Sequence, residues 1–249
     1  MMARVAALWR HPIKAHGCES LQSVTLAAGQ TMPWDRRWAV AHEAARADGS
    51  AWAPCANFSR GAKAAALMAI TARSDTAAGT VTLSHPDRPD LTFDPDREEA
   101  VFLDWVRPLM PEERAQSARI LRVEGRGMTD TEFPSLSLVN LASGEDLGRR
   151  MGQVLSPLRW RANIHLEGLE PWAEREWIGR RLRAGGAELT VREAIGRCLA
   201  TAANPETGKR DADTLGALKN EFGHTEFGLY AEVTSGGVLA VGDTVEPLT

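Results

Sequence analysis

Short β-type segments separated by turn residues are the feature that most constrains the fold of this 249-residue chain. Apolar residues recur in short runs, which His11-Pro12, Gly29 and Gly79 interrupt. Runs of this kind predict strands rather than long helices. The predicted strands cover residues 4–9, 21–27, 37–42, 80–84, 120–123, 162–166, 187–195, 229–233 and 238–245. We therefore predict a strand-rich α+β protein, with a partly closed β-barrel core, a smaller N-terminal β region and a few helices.

One helix is predicted from the spacing of apolar residues in the first half of the chain. Residues 97–110 place Val101, Trp105 and Leu109 on one stripe, and prolines close the segment. Residues 62–70 fit two structures, because their alanines favour a helix while their position between turns suits a strand.

The second predicted helix and two turns complete the outline. Ser143, with Asp146 three residues later, predicts the N-cap of a helix that runs to Arg150. Residues 85–96 hold three prolines and four aspartates, so we predict a loop there, at a seam between two parts of the chain. Residues 235–237 (Ser-Gly-Gly) predict a hairpin turn between the last two strands.

Composition excludes several classes of protein. Apolar residues make up 43% and charged residues 25%, which is ordinary for a globular chain. The net charge of -4 and pI of about 5.9 give no support to nucleic-acid binding. No apolar run is long enough for a membrane-spanning helix, and the N-terminus lacks the layout of a signal peptide. We therefore expect neither a nucleic-acid nor a membrane partner.

The cysteines indicate a reducing compartment. Cys18, Cys55 and Cys198 lie far apart, without a CxxC pair, and their odd number argues against a disulfide scaffold. This spacing also excludes a zinc knuckle and an iron–sulfur cluster held by four cysteines. We predict a cytoplasmic protein. The chain carries no Walker loop, no GxGxxG after a strand and no GxSxG elbow, so nothing indicates a nucleotide-binding loop or a hydrolase.

Two features could carry chemistry on physical grounds, and each has an ordinary alternative. A Cys198 thiolate, favoured by the neighbouring Arg197, is a soft ligand for a thiophilic metal, but a lone cysteine is more often a small buried hydrophobe. If residues 159–163 are extended, Arg159, Arg161 and Asn163 share one face. That face is either a binding row or a solvated strand surface.

Four stretches of the chain carry recognisable motifs. They are His11-Pro12-Ile13-Lys14, Asp35-Arg36-Arg37-Trp38, Arg159-Trp160-Arg161-Ala162-Asn163-Ile164, and Arg197-Cys198 with Asn204-Pro205-Glu206-Thr207-Gly208. Read together and in this order, they resemble the MOSC family, in particular its two-part branch, which includes amidoxime-reducing proteins and bacterial reductases of N-hydroxylated bases. Smaller similarities follow at residues 227–230 and 241–243.

The chain departs from the family pattern at three positions. Asn204 replaces an aspartate that often precedes the Pro-Thr-Gly turn, Ile195 stands where some relatives have a second cysteine, and Ala162 replaces a proline. The cysteine and the arginines of the pattern are all present.

The resemblance implies a two-part architecture, with an N-terminal region over residues 1–115 and a MOSC domain over residues 116–249. It also implies a molybdenum-pterin cofactor, with Cys198 as the catalytic residue and the metal ligand. Residues 129–131 would add hydroxyl groups near the pterin, and Cys18 and Cys55 match no ligand position. The cofactor-binding residues carried over are Lys14, Arg36, Arg159, Arg161, Asn163, Asn204 and Thr207, with Arg37 as a neighbour of this set.

The function implied is reduction of small N-oxygenated substrates, such as hydroxylamines, amidoximes and N-hydroxylated bases. Because the chain has no cysteines for an electron-transfer cluster, the electrons would come from a separate ferredoxin-like or cytochrome-type protein. The alternative is a binding module that carries the molybdenum cofactor or handles sulfur on Cys198 without turnover.

Overall fold

The computed structural model describes residues 2–248, which form fifteen strands and three α-helices. The strands are β1 (Ala3–Arg10), β2 (Glu19–Leu21), β3 (Ser23–Leu26), β4 (Ala39–His42), β5 (Thr71–Asp75), β6 (Thr80–His85), β7 (Arg88–Phe93), β8 (Ser117–Leu121), β9 (Ser135–Asn140), β10 (Ile164–Glu167), β11 (Arg181–Ala184), β12 (Ala187–Gly196), β13 (Glu226–Ser235), β14 (Gly237–Ala240) and β15 (Thr244–Pro247). The helices are α1 (Glu99–Val106), α2 (Leu141–Met151) and α3 (Thr214–Phe222). Six short 3-10 helices lie between these elements.

Seven strands close into a barrel, in the order β1-β10-β9-β13-β12-β11-β15. The ring closes because the N-terminal strand β1 pairs with β10 on one side and with β15 on the other. The β9–β10 pair is parallel and the other six pairs of the ring are antiparallel. The strand-rich α+β class predicted from the sequence is confirmed, and the barrel is fully closed rather than partly closed.

Alternation along the strands fills the barrel. In β13, Leu229, Ala231 and Val233 point into the barrel core, while the residues between them point outward. Leu136 and Leu138 of β9 meet them from the neighbouring strand, and all five side chains are at most 1% exposed. Side chains at the outward positions of these strands are therefore free to form a site.

The N-terminal region has its own core outside the barrel. Strands β5, β6 and β7 form an antiparallel sheet, and β4 pairs with β8. The rings of Phe93, at the end of β7, and Phe102, in α1, stack with their centroids 5.3 Å apart, and both are buried. Helix α1 confirms a helix within residues 97–110, although it is shorter, since a 3-10 helix replaces its last turn at Arg107–Leu109. The predicted stripe is wrong at Val101, which is 50% exposed, because the buried face of α1 runs through Phe102, Trp105 and Val106.

Two turn and loop predictions are wrong. Residues 85–96 contain strand β7, whose Pro89 is tolerated because β7 is the edge strand of its sheet. Residues 235–237 do not form a hairpin between consecutive strands, because β14 pairs with β3 and not with β13. Residues 62–70, which fitted either helix or strand, contain a 3-10 helix at Ala65–Ala69.

The cap predicted for the second helix is also wrong. Asn140 caps α2, accepting a hydrogen bond from the backbone N–H of Ala142 (3.1 Å). Ser143 lies inside the helix, where its hydroxyl donates to the buried Glu174 carboxylate (2.8 Å), and Asp146 accepts a hydrogen bond from the Trp172 indole. Asparagine is as good a cap as serine, so residue type alone does not decide whether Asn140 or Ser143 caps the helix.

Strand β1 belongs to the same closed sheet as strands formed by residues 135–247. The division at residues 115 and 116 stays a prediction. Within residues 2–248, no helix combines the length and the apolar character needed to cross a bilayer.

Replacing Leu8 by alanine tests the closure of the barrel by β1. Leu8 is fully buried and its backbone lies opposite Ile164 of β10. We expect Leu8→Ala to lower the free energy of unfolding by about 2–5 kcal/mol, because it leaves a cavity in the barrel core. Urea denaturation would measure this. Val154→Ala, at a 97% exposed side chain, should change it by less than about 0.5 kcal/mol; equal effects of the two changes would contradict the role of β1.

Candidate functional site

A cavity of about 370 Å³ lies on the outer face of the barrel wall formed by β9, β13 and β12. Ser137, Tyr230 and Glu193 line it, one from each strand. The neighbours of Ser137 and Tyr230 along their strands point into the barrel core. The N-terminal region supplies the facing wall. That wall consists of Lys14, Ala15, Arg36, Cys55, Arg60, Gly61, Ala62 and Met68.

Cys198 lies on the wall of this cavity, two residues beyond the end of β12. It is exposed, and it precedes the 3-10 helix Leu199–Ala202. The alternative of a buried hydrophobic cysteine is therefore excluded for Cys198, whereas Cys18 is buried. Cys55, which matched no motif, lines the same cavity, and Arg60 Nη1 donates to its Sγ (3.1 Å).

Positive charge dominates the cavity although the whole chain is acidic. Within residues 2–248, six cationic side chains line it, against the carboxylates of Asp130 and Glu193. Such an excess favours an anionic ligand, and arginine binds phosphate or carboxylate groups through paired N–H donors. The six cations are Lys14, Arg36, Arg60, Arg159, Arg161 and Arg197.

A buried carboxylate fixes the first arginine of the site. Asp35 is 1% exposed; it accepts a hydrogen bond from the backbone N–H of His11 (2.8 Å) and forms an ion pair with Arg36. Burial raises the pKa of Asp35, but the charge of Arg36 and the contact with His11 outweigh it, so the pKa lies well below its usual range. Arg36 adopts a left-handed backbone conformation (φ 47°) and donates to the carbonyl of Arg161 (2.9 Å).

Lys14 and Asp130 form the second ion pair of the cavity. Lys14 Nζ also donates to the carbonyl of Met128 (2.8 Å). Burial raises the pKa of Asp130, but Lys14 and Arg36 together lower it to about 2. The Asp130 side chain is 50% exposed and lines the cavity, so its charge remains open to a ligand.

Residues 159–163 do not form a strand, so the expectation of a common strand face is wrong. Pro157–Trp160 is a 3-10 helix, Arg161 is left-handed (φ 47°), and β10 begins only at Ile164. Arg159 and Arg161 nevertheless both line the cavity, while Asn163 lies beneath it in the protein interior. Pro157 favours the first turn of a helix, and the 3-10 helix that begins there replaces the predicted strand.

The predicted residues of this stretch differ in how far their polar groups are engaged. Arg159 Nη2 forms an ion pair with Asp211 (2.6 Å), but its buried Nε has no partner within residues 2–248. Arg161 donates to the carbonyl of Gly17 (3.0 Å), and burial lowers its pKa to about 10, so it remains a cation at neutral pH. Asn163 accepts hydrogen bonds from the backbone N–H and the hydroxyl of Ser137 (3.1 and 2.9 Å).

Besides Asn163, three other predicted residues, Asn204, Thr207 and Arg37, do not line the cavity. The Asn204 side chain closes its own turn, accepting from the backbone N–H of Glu206 (2.8 Å) and donating to Asp211, and Thr207 lies in the same turn. Arg37 packs over the rings of Trp34 and Trp38, each 5.2 Å from its guanidinium carbon, beside a separate cleft. A cofactor-binding role for Asn204 and Thr207 stays a prediction.

Arg197 and Tyr230 line the cavity, although neither was among the predicted cofactor-binding residues. Arg197 donates to the carbonyls of Phe227 (2.7 Å) and Trp160 (2.8 Å), and its Nη2 has no partner within the described chain. Gly228 allows this approach, since its φ is 78° and a Cβ there would lie 3.0 Å from Arg197 Nη2. Burial and the charge of Asp130 raise the pKa of Tyr230.

Of residues 129–131, Asp130 and Thr131 line the cavity and Thr129 is buried. The Thr129 hydroxyl donates to the carbonyl of Thr131 (3.3 Å). The hydroxyl groups predicted for this stretch are therefore only partly available to a ligand.

Three histidines make the protein sensitive to acid. Burial lowers the pKa of His11 to about 3 and those of His16 and His165 to about 4. The unfolded chain takes up these protons near pH 6.5, whereas the folded protein does so only near pH 3–4. The contribution of these histidines to the free energy of unfolding is therefore fully present above pH 6.5 and is lost as the pH drops toward 4. We expect His165→Phe to reduce the loss by up to about 1.4 kcal/mol per pH unit, measured by urea denaturation between pH 7 and 5. Parallel pH profiles for the two proteins would contradict this.

Two family models match the chain. One, the MOSC N-terminal beta barrel domain, matches residues 2–106, and the other, the MOSC domain, matches residues 131–246. The cavity takes residues from both matched regions, because Lys14, Arg36 and Cys55 belong to the first, and Arg159 and Cys198 to the second.

Among curated proteins, the chain is similar to mitochondrial amidoxime-reducing component 1 of three vertebrates. The protein of Xenopus laevis is 33% identical over 126 residues, which cover 46% of this chain and 36% of that protein. That of Mus musculus is 29% identical over 150 residues, covering 54% and 44%. The chain thus spans less than half the length of these curated relatives.

Solved structures give weaker matches. The YUAD protein from Bacillus subtilis has a TM-score of 0.48 at 12% identity, covering 98% of this chain and 94% of that one. YiiM from Geobacillus stearothermophilus has a TM-score of 0.37 at 20% identity, covering 46% and 54%. These scores are too low to bear on function. The two family models together match most of the sequence in the expected order, and the chain therefore belongs to the MOSC family.

Proposed function

We propose that this protein binds a molybdenum-pterin cofactor in the cavity and reduces small N-oxygenated compounds there. The observation that carries the proposal is an exposed cysteine, Cys198, in a cavity where six cationic residues meet two carboxylates. A thiolate ligand and an anion-binding wall are what a molybdenum centre with a phosphate-bearing pterin needs. Membership of a family associated with this cofactor, and similarity to amidoxime-reducing components, support the proposal.

The residues present fit the cofactor. Cys198 would hold the metal, and Arg159 and Arg197 each have a buried N–H group without a partner in the described chain. A buried donor of this kind is costly unless a ligand or ordered water satisfies it. Arg36, Arg161 and Lys14 would complete the anion site. When bound, the cofactor supplies a centre that accepts oxygen and cycles between oxidation states.

The chain's own part is to hold charges in place before a ligand arrives. Asp35 and the carbonyl of Arg161 fix the Arg36 guanidinium, and Asp130 holds Lys14. Groups fixed in this way bind an anion with little reorganisation. The left-handed backbones of Arg36 and Arg161 are strained conformations that the surrounding hydrogen bonds maintain.

A neutral acid is also present in the cavity. Each reduction breaks an N–O bond, takes up two electrons and two protons, and releases water with the reduced nitrogen compound. Because burial raises its pKa, the Tyr230 phenol stays protonated at neutral pH and can donate a hydrogen bond to a bound substrate.

The proposed reaction needs a source of electrons. Within residues 2–248, no group of three or more His, Cys, Asp and Glu side chains is arranged to hold a metal ion, and the three cysteines are far apart in sequence. We therefore propose that a separate ferredoxin-like or cytochrome-type protein donates the electrons. We also propose a cytoplasmic location, since free cysteines are usual in reducing compartments. Turnover with NAD(P)H and no further protein would contradict the separate donor.

Metal and pterin content test the cofactor site. In a host that makes the cofactor, we expect near-stoichiometric molybdenum and pterin in the wild type. In Cys198→Ala we expect less than about a tenth of the metal, because the protein ligand is lost. Elemental analysis and the fluorescence of the oxidised pterin measure the two components. Cys55→Ala is the matched control in the same cavity and should retain the metal. Absence of metal and pterin from the wild type would refute the site.

Turnover separates an enzyme from a cofactor carrier. With a strong chemical reductant, we expect the molybdenum-loaded protein to convert benzamidoxime to benzamidine over many cycles. Chromatography measures the benzamidine formed. Cys198→Ala should lose this activity by at least about 10³-fold, as when a group essential to the chemistry is removed. A loaded protein that converts no benzamidoxime or hydroxylaminopurine, but passes its cofactor to an apoenzyme, would be a carrier.

A further inference from the structure

The two carboxylates of the cavity have different surroundings. Asp130 forms an ion pair with Lys14. Glu193 is exposed and, within residues 2–248, forms no side-chain hydrogen bond or ion pair, although six cationic residues line the same cavity. An unpaired carboxylate in such a place is available to a ligand.

A β-bulge places Glu193 in the cavity. Val191 of β12 lies opposite Ala231, and Glu193 lies opposite Tyr230, so Arg192 is an extra residue without a partner of its own. Bulges redirect side chains and often occur beside functional sites. As a result Glu193 and Tyr230 both point outward from the barrel and both line the cavity.

The bulge also keeps the Glu193 side chain apart from that of Arg192, the nearest cation in the sequence. Arg192 forms an ion pair with Glu232 (2.8 Å) and packs over the ring of Phe133. It does not line the cavity, whereas Glu193 and Cys198 both do. A small molecule that fills a cavity of about 370 Å³ contacts several of its walls, so one ligand can meet both residues.

The cations of the cavity are largely committed to other groups. Arg36 and Lys14 pair with Asp35 and Asp130, and Arg197 donates to two backbone carbonyls. An anionic cofactor would engage their remaining donors. The carboxylate of Glu193, which has no ion-pair partner within residues 2–248, would then be available to a substrate.

We propose that Glu193 is a substrate-binding residue that selects cationic N-oxygenated substrates, above all protonated N-hydroxyguanidines. A carboxylate accepts paired hydrogen bonds from a guanidinium or amidinium group, and this contact distinguishes such substrates from neutral ones of the same size. The proposal rests on the proposed function, since it concerns the substrate of the same site.

The test compares a cationic with a neutral substrate on the molybdenum-loaded protein at pH 7. We expect Glu193→Gln to lower kcat/KM for N-hydroxy-N′-phenylguanidine by about tenfold, because a charge-assisted contact is lost. For benzhydroxamic acid, which is neutral, kcat/KM should change by less than about twofold. Glu232→Gln, at the paired carboxylate outside the cavity, should leave the ratio of the two values unchanged. Equal losses for both substrates, or no loss for the guanidine, would overturn the proposal.

Equilibrium binding provides a readout that does not need turnover. Calorimetric titration of the loaded protein with benzamidine, a protonated amidine, should give about tenfold weaker binding to Glu193→Gln than to wild type. Molybdenum content should be the same in both. If no substrate is reduced but benzamidine binding depends on Glu193, the reductase proposal fails while the assignment of Glu193 stands. If benzamidine binds both proteins equally, or does not bind the wild type, the assignment fails.

Discussion

The pairing of the first strand, β1, with β10 and β15 determines where the site can form. Hydrogen bonds on both edges of β1 close the barrel, and the chain that follows β1, residues 11–18, pairs through Ile13 with Trp38. From there Lys14 enters the cavity and the backbone N–H of His11 reaches Asp35. Residues separated by more than a hundred positions in sequence, such as Lys14 and Asp130, meet only because this closure holds. Without β1 in the ring, the barrel would expose two edges and the cavity would lose its facing wall.

The buried charge of Asp35 links that geometry to the electrostatics of the cavity. Taking a carboxylate out of water is unfavourable unless a cation and hydrogen-bond donors compensate it. Arg36 and the N–H group of His11 do so, and because Arg36 also donates to the carbonyl of Arg161, the same contact positions the segment that precedes β10. His11 stays neutral in this arrangement, since burial and the nearby arginines lower its pKa. One buried acid thus holds two cavity-lining arginines in strained left-handed conformations.

Much of the fold and of the cavity lining could be predicted from the sequence, but only where a residue's role follows from the residues next to it in the chain. The strand-rich α+β class followed from short apolar runs between turns, and Lys14, Arg36, Arg159, Arg161 and Cys198 followed from ordered resemblance. The expectation of a strand face at residues 159–163 failed because a 3-10 helix begins at Pro157. Strand β7 was missed because an edge strand tolerates proline, and the pairing of β14 with β3 depends on contacts distant in sequence. Asn204 and Thr207 follow Cys198 closely in sequence, yet their side chains serve their own turn.

Two cavity-lining residues that sequence reasoning missed, Tyr230 and Glu193, reach the cavity through strand register rather than through a motif. Tyr230 lies in residues 227–230, a stretch that shows only a smaller similarity to the family. Its side chain points outward because Leu229 and Ala231, on either side of it, point into the barrel core. Glu193 carries no signal in sequence, because its direction depends on the bulge at Arg192. Since a shift of one residue in a strand turns a side chain to the opposite face, the bulge decides whether this carboxylate faces the cavity. Most cations of the cavity therefore lie in segments that carry the family motifs, whereas Glu193 and Tyr230 face the cavity because of strand register.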